Sequence, residues 1–169
     1  MKVLTISGSS RPESHNTRLL KALPTLRPNW QFKYMDIGVL PLFKDTEGAI
    51  IYPDAVQDFK NALSECNALI ISTPEYIHNI PAQLKNALEW ITASGELAHK
   101  TVLPLVFAPH APRGEKAMIS LLNSLKAMHA TIPTHMLLYQ QECQWNESGV
   151  IIGSEELLEI LNTALDLFE

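Results

Sequence analysis

Short apolar segments rich in β-branched residues alternate along the chain with longer segments of helical periodicity. Residues 68–72, ALIIS, are short and apolar on both faces, which is typical of a strand buried in a parallel sheet. This alternation predicts βαβ units and an α/β fold, with a parallel sheet covered by helices on both faces. The predicted strands are 2–7, 30–35, 68–72, 101–107 and 131–139, and the predicted helices are 16–26, 54–66, 81–93, 114–129 and 154–168.

Length and composition narrow the class of protein further. The 169 residues, 46% of them hydrophobic, predict a single domain over residues 1–169 whose core needs no disulfide or metal. The net charge of −5 does not suit an extended nucleic-acid surface. The sequence shows no apolar run long enough to cross a membrane and no signal-peptide pattern, and its two cysteines lie far apart. We therefore expect a cytoplasmic protein with no membrane or nucleic-acid partner.

The loop after the first predicted strand, residues 8–17 (GSSRPESHNT), is a candidate binding site, because ligands of parallel sheets bind at the carboxyl ends of strands. It lacks the glycine patterns of dinucleotide and nucleoside-triphosphate loops. It is rich in hydroxyl and amide groups and contains Arg11, which suits a phosphate at a helix N-terminus. One arginine with no lysine indicates a monophosphate. The alternative is that Ser14 or Asn16 only caps the helix and Arg11 is solvated.

The loop after the third predicted strand, residues 72–81 (STPEYIHNIP), is stiffened by two prolines, each of which fixes its own φ. Tyr76 and Ile77 in such a rigid loop suit a wall against a flat aromatic ligand. The alternative is a plain strand-to-helix connection in which Tyr76 packs locally.

These two loops together resemble a known family. Residues 73–90, TPEYIHNIPAQLKNALEW, are similar to the signature of NADPH-dependent FMN reductases, which belong to the flavodoxin-like superfamily. Residues 8–20 resemble the first loop of the same family, whose pattern is roughly G-S-x-R-x-x-S-x-N. The resemblance implies a flavodoxin-like three-layer sandwich with a five-stranded parallel sheet of order 2-1-3-4-5, and it implies FMN and NADPH or NADH as cofactors.

The resemblance also assigns cofactor-binding residues in three loops. Family members mostly have Asn at the position of Ile77 and Gly at the position of Ala82, and the family's loop after strand four is usually rich in glycine, whereas residues 108–114 here contain only Gly114. The first loop would hold the FMN phosphate, and the other two would border the isoalloxazine ring. The assigned residues are Ser9, Arg11, Ser14, His15, Asn16 and Thr17 in the first loop, Pro74, Glu75, Tyr76 and Ile77 in the second, and Pro109 and His110 in the third.

The implied function is an FMN-dependent oxidoreductase that passes hydride from NAD(P)H to a quinone, free flavin or similar small acceptor. The flavin carries the chemistry, so no acid or base side chain is assigned. The resemblance further implies a homodimer or homotetramer. Two alternatives are a flavodoxin-like electron carrier without NAD(P)H activity and a flavin-free binding module.

The histidines and cysteines do not predict a second kind of site. The six histidines lack metal-ligand spacing, so no metal site is expected. Cys66 falls on the apolar stripe of a helix and is expected in the core. Cys143 follows Glu142 in an expected tail loop, where acidic company disfavours a reactive thiolate.

Overall fold

A computed structural model describes residues 1–44, 51–146, 149 and 151–169. Five parallel strands form one sheet in which the strands, numbered along the chain, lie in the order 2-1-3-4-5, so the predicted fold class and strand order are confirmed. The strands are β1 (Lys2–Ser7), β2 (Gln31–Met35), β3 (Ala68–Thr73), β4 (Thr101–Ala108), β5 (Met136–Tyr139), β6 (Cys143–Trp145) and β7 (Ile151–Gly153), and the α-helices are α1 (His15–Leu26), α2 (Asp54–Glu65), α3 (Ala82–Ile91), α4 (Glu115–Ala127) and α5 (Glu155–Phe168).

Helices cover both faces of the sheet, and each face has its own hydrophobic core. Leu4 and Ile6 of β1 pack in a core formed with α2, α3 and α4, whereas Val3 faces the opposite core, formed with α1 and α5. This division follows from the strand period of two, which sends successive side chains to opposite faces. β3 is buried at every position because both of its faces are covered. None of the helices in the described part of the chain is long and apolar enough to cross a membrane.

The fifth strand is shorter than the predicted segment 131–139. It begins at Met136, and the residues before it make only an isolated bridge between Thr131 and Thr101 of β4. Pro133 lies in this segment and has no N–H to donate to the neighbouring strand, which explains the late start of regular pairing.

The chain after β5 forms an antiparallel hairpin, β6–β7, instead of the expected tail loop. Cys143 therefore lies in a strand and is buried, and burial, with Glu142 nearby, raises the pKa of its thiol to about 11. The thiol stays protonated at neutral pH. Cys66 is buried at the end of α2, in the core where it was expected.

The first half of the long connection between β2 and α2 is hydrogen-bonded to side chains of α3. The carbonyl oxygen of Pro41 accepts hydrogen bonds from Trp90 Nε1 at 2.7 Å and from Asn86 Nδ2 at 3.0 Å. Asn86 Oδ1 in turn accepts from the backbone N–H of Phe43 at 2.7 Å. Residues 45–50 of this connection lie outside the described residues.

Candidate functional site

A cavity of about 270 Å³ lies at the carboxyl ends of β1, β3 and β4, where the three candidate loops meet. The sheet order explains this placement, because β1 and β3 are neighbours although β2 separates them in sequence. Nine of the twelve predicted site residues line the cavity. They are Ser9, Arg11, Ser14, His15, Asn16, Pro74, Glu75, Tyr76 and Pro109.

A glycine allows β1 and β3 to approach each other at the base of the cavity. The backbone N–H of Gly8 donates to the carbonyl of Ser72 at 2.8 Å. A Cβ at position 8 would collide with Thr73 Oγ1 and lie 2.7 Å from Thr73 Cβ. Residue 8 must therefore lack a side chain for the first loop to leave the sheet where it does.

The first loop is held by a network of hydroxyl groups behind the cavity. Ser7 Oγ accepts from the N–H of Ser9 at 3.2 Å and from Thr17 Oγ1 at 3.1 Å. Ser14 Oγ accepts from the N–H of Thr17 at 3.1 Å, so Ser14 caps α1 and also lines the cavity. Thr17 itself is 2% exposed and is absent from the cavity wall. Its side chain supports the loop through the bond to Ser7, and its contact with FMN stays a prediction.

Asn16 is anchored to the neighbouring strand. Its Oδ1 accepts a 2.8 Å hydrogen bond from Ser72 Oγ of β3, and both side chains are buried. The bond fixes the start of α1 against the sheet. The N–H groups of His15 and Asn16 precede the first intrahelical hydrogen bond and so have no partner within the helix.

The cavity carries an excess of positive charge. The guanidinium groups of Arg11 and Arg113 have no carboxylate partner among the described residues. The N-terminus of α1 adds a partial positive charge. Glu75 is the acidic residue of the wall, and its carboxylate accepts hydrogen bonds from backbone N–H groups of α4.

Glu75 caps α4 from a distant loop. Its Oε2 accepts from the N–H groups of Lys116 and Ala117, both at 3.1 Å. Gly114, the residue before the helix, provides no side-chain cap. Asn79 makes a second link, because its Oδ1 accepts from Ser120 Oγ of α4 at 2.6 Å. The loop after β3 is thus fixed to the helix that follows β4.

We expect Glu75→Ala to lower the free energy of unfolding by about 1–2 kcal/mol, as the loss of a helix cap does. Glu75→Gln keeps an acceptor oxygen and should lose less. Urea denaturation measures both. Glu89→Ala is the matched control, because it removes only the exposed ion pair with Lys85 on α3 and should cost about 0.5 kcal/mol at most. Equal losses for Glu75→Ala and Glu89→Ala would contradict the capping role.

Ile77 lies at the tip of a tight turn and does not line the cavity. Tyr76 and Asn79 exchange backbone hydrogen bonds of 2.9 and 3.0 Å, and Ile77 and His78 between them have φ values of 51° and 57°. Two central residues with positive φ define a type I′ turn, which favours Asn and Gly. Ile77 is 97% exposed at this tip and lies outside the cavity wall, and its contact with the flavin ring stays a prediction.

Ile77→Asn should raise the free energy of unfolding by about 1 kcal/mol, because a β-branched residue in the left-handed region is strained and Asn tolerates it. The substitution loses no burial, since the side chain is exposed. The measurement is again urea denaturation. Ile160→Asn, at a half-exposed position of α5, is the control and should be neutral or destabilising. An unchanged or lower stability of Ile77→Asn would contradict the strain.

His15 takes part in an aromatic cluster at the edge of the cavity. Its ring stacks on Phe107 with centroids 5.3 Å apart and an interplanar angle of 5°. The ring centroid of Trp145 of β6 lies 6.3 Å from the centroids of both rings. Trp145 Nε1 donates a hydrogen bond to His15 Nδ1 at 3.1 Å. Burial lowers the pKa of His15, and the guanidinium groups of Arg18 and Arg11 lower it further.

His110, the remaining predicted residue, is exposed and lies outside the cavity wall, with Nδ1 2.9 Å from the carbonyl oxygen of Ala111. Four lining residues were not in the predicted set: Phe107, Ala108, Arg113 and Gln140. Phe107 and Ala108 end β4, and Gln140 directly follows β5, so the rule that ligands bind at the carboxyl ends of strands was the signal for them.

No group of three metal-ligating side chains occurs among residues 1–44, 51–146, 149 and 151–169.

Residues 1–142 match the family of NADPH-dependent FMN reductases. A 2-hydroxy-1,4-benzoquinone reductase from Burkholderia sp. is 37% identical over 91 residues, which cover 53% of this chain and 49% of that protein. An NADH:(hydroxy)cinnamate reductase subunit, CrdA, from Vibrio ruber is 30% identical over 167 residues, 95% of this chain and 82% of that protein. This chain thus spans about half the length of the first relative and most of the second.

The fold is also found in solved structures. FerB, a flavoenzyme NAD(P)H:(acceptor) oxidoreductase from Paracoccus denitrificans, superposes with a TM-score of 0.83 at 24% identity, covering 99% of this chain and 94% of that one. At this level of identity, the likeness establishes the shared flavodoxin-like fold.

Proposed function

The chain belongs to the NADPH-dependent FMN reductase family, and from this premise we propose that it is an FMN-dependent oxidoreductase that oxidises NADPH or NADH and reduces a small acceptor such as a quinone or a free flavin. We propose that residues 1–169 form one FMN-binding domain. By analogy with the family, we also propose a cytoplasmic homodimer or homotetramer. The names of the quinone and cinnamate reductases among its relatives support a reductase.

The observation that carries the proposal is the charge of the cavity. Two guanidinium groups and the start of α1 surround a space whose acidic wall residue is already hydrogen-bonded to α4. Such a space favours an anion, and the hydroxyl and amide groups of the first loop suit a phosphate monoester. The residues present therefore fit the phosphate of FMN. Pro74, Tyr76 and Pro109 add the rigid, partly apolar wall that a flat ring system needs.

The residues of the chain act by binding and orientation. Arg11 and the first turn of α1 would hold the phosphate, with Ser9 and Ser14 completing its hydrogen bonds. The loop of Pro74 and Tyr76 would position the ring, and its links to α4 keep it rigid. When bound, FMN supplies reversible hydride acceptance. No side chain of the wall is required as an acid or base.

The direct test is steady-state oxidation of NADPH and of NADH by the FMN-loaded protein with a benzoquinone as acceptor. We expect the disappearance of the nicotinamide absorbance to depend on protein, on FMN and on quinone. The same protein without FMN is the control. Tight FMN binding without turnover with either nicotinamide would contradict the reductase and leave an electron carrier.

A further inference from the structure

The bond between Trp145 and His15 determines which nitrogen of His15 carries a proton. An indole N–H is a donor only. Because Trp145 Nε1 donates to His15 Nδ1 at 3.1 Å, Nδ1 must hold a free lone pair. The imidazole is therefore neutral, and its proton lies on Nε2.

The other ring nitrogen of His15 is directed away from Trp145. Stacking on Phe107, with an interplanar angle of 5°, fixes the plane of the ring. His15 Nε2 has no hydrogen-bond partner among the described residues, and no unpartnered side-chain nitrogen or oxygen among them is buried. Nε2 is therefore accessible on a residue that lines the cavity beside Ser14 and Arg11.

We propose that Trp145 is a positioning residue: it holds His15 as the neutral Nε2–H tautomer, so that Nε2–H donates a hydrogen bond to the phosphate of the flavin nucleotide. This inference rests on the proposed function. It assigns a binding role to the β6–β7 hairpin, which begins one residue after the segment that matches the family.

The charges around His15 support a neutral ring. Arg18, from α1, and Arg11, from the preceding loop, both disfavour a second proton, as does burial, and together they lower the pKa of His15. The rings packed on it from β4 and β6, Phe107 and Trp145, carry no charge. A second proton on Nδ1 would also replace the acceptor of the Trp145 bond with a donor.

Trp145→Phe separates this role from simple packing, because it keeps an aromatic ring and removes the N–H. In the variant, Nδ1 loses its donor, so the ring is free to adopt either tautomer and to take up a proton at low pH. Trp30→Phe, in the core between α1 and α5, is the matched control. His15→Gln is the rescue variant, because its amide donates without a tautomer choice.

The first measurement is the ¹⁵N NMR spectrum of the histidines with and without FMN. We expect His15 of the wild-type protein to show a protonated Nε2 and an unprotonated Nδ1 before FMN is added, and Nε2 to shift on binding. In Trp145→Phe, the two nitrogens should show averaged shifts, whereas Trp30→Phe should match the wild type.

The second measurement is FMN affinity, by quenching of flavin fluorescence, between pH 5.5 and 8. At pH 8 we expect Trp145→Phe to bind FMN about two- to threefold more weakly, because the freed ring must first select the Nε2–H tautomer before it can donate to the phosphate. The ratio of the two affinities should fall toward 1 at pH 5.5, because His15 of the variant can then protonate and attract the phosphate. Titration of the phosphate itself cancels in this ratio. In the His15→Gln background, Trp145→Phe should have no further effect.

Four results would overturn the inference. FMN that binds without shifting His15 Nε2 would remove the contact and leave the proposed function intact. A wild-type His15 protonated on Nδ1 would show that Trp145 only packs against His15. A ratio of wild-type to Trp145→Phe affinity that does not depend on pH would show the same. No FMN binding by any of these proteins would overturn the proposed function and the inference together.

Discussion

Arg11→Ala is expected to weaken FMN binding by about 10- to 100-fold, which corresponds to the loss of about 1.5–3 kcal/mol from a charge-assisted hydrogen bond. The guanidinium lines the cavity and has no carboxylate partner among the described residues, so its charge is available to a ligand. Since the side chain is exposed, its removal should leave stability nearly unchanged. A fluorescence titration with FMN measures the affinity.

Arg18→Ala is the matched control, because Arg18 lies on α1, the helix that follows the loop of Arg11, but pairs with Glu13 outside the cavity. It should change FMN affinity by less than about threefold, as expected for an exposed charge screened by salt. Equal effects of the two substitutions, or unchanged affinity of Arg11→Ala, would refute the assignment of the phosphate site to the first loop.

Gly8→Ala should lower the free energy of unfolding by about 1–3 kcal/mol and abolish tight FMN binding, because overpacking forces the backbone to move. The new Cβ would collide with Thr73 Oγ1 and would also lie 3.2 Å from Leu84 Cδ2. Thr73 ends β3 at the cavity, so a shift there separates the first loop from the loop that contains Pro74. Urea denaturation and FMN titration of the same sample measure the two effects.

Gly38→Ala is the control for Gly8→Ala. Its Cβ would lie 3.0 Å from Asp36 Oδ1, which belongs to an exposed side chain and accepts a 2.8 Å hydrogen bond from the N–H of Gly38, so only this carboxylate must adjust. We expect a loss below about 1 kcal/mol and unchanged FMN affinity. A Gly8→Ala protein with wild-type stability and affinity would show that the close approach of β1 and β3 is not needed.

The fold was predictable because short apolar segments alternate with longer segments of helical period. Segment 68–72 is apolar on both faces, as a buried parallel strand is, and β1 was predicted with its observed bounds, Lys2–Ser7. The β6–β7 hairpin was missed because strands of three residues are too short to show a period. The late start of β5 depends on Pro133, whose effect on pairing requires knowledge of the neighbouring strand.

The site was predictable where chain direction alone places residues. The first loop and the Pro74 loop follow neighbouring strands, so parallel topology brings them together. The orientation of Ile77 was not predictable, since it depends on a type I′ turn that a β-branched residue disfavours. The sequence also contains no sign that Glu75 bonds to α4 or that His15 bonds to Trp145, because the two partners of each bond lie 40 residues or more apart in the chain.

The central claim is that the first loop and the start of α1 hold the phosphate of a flavin nucleotide. Parallel titrations of the protein with FMN and with riboflavin, which lacks that phosphate, test it most directly. We expect one FMN per chain and riboflavin binding at least about 100-fold weaker, since several charge-assisted hydrogen bonds are lost. Equal affinities for the two flavins, or no binding of FMN, would contradict the claim.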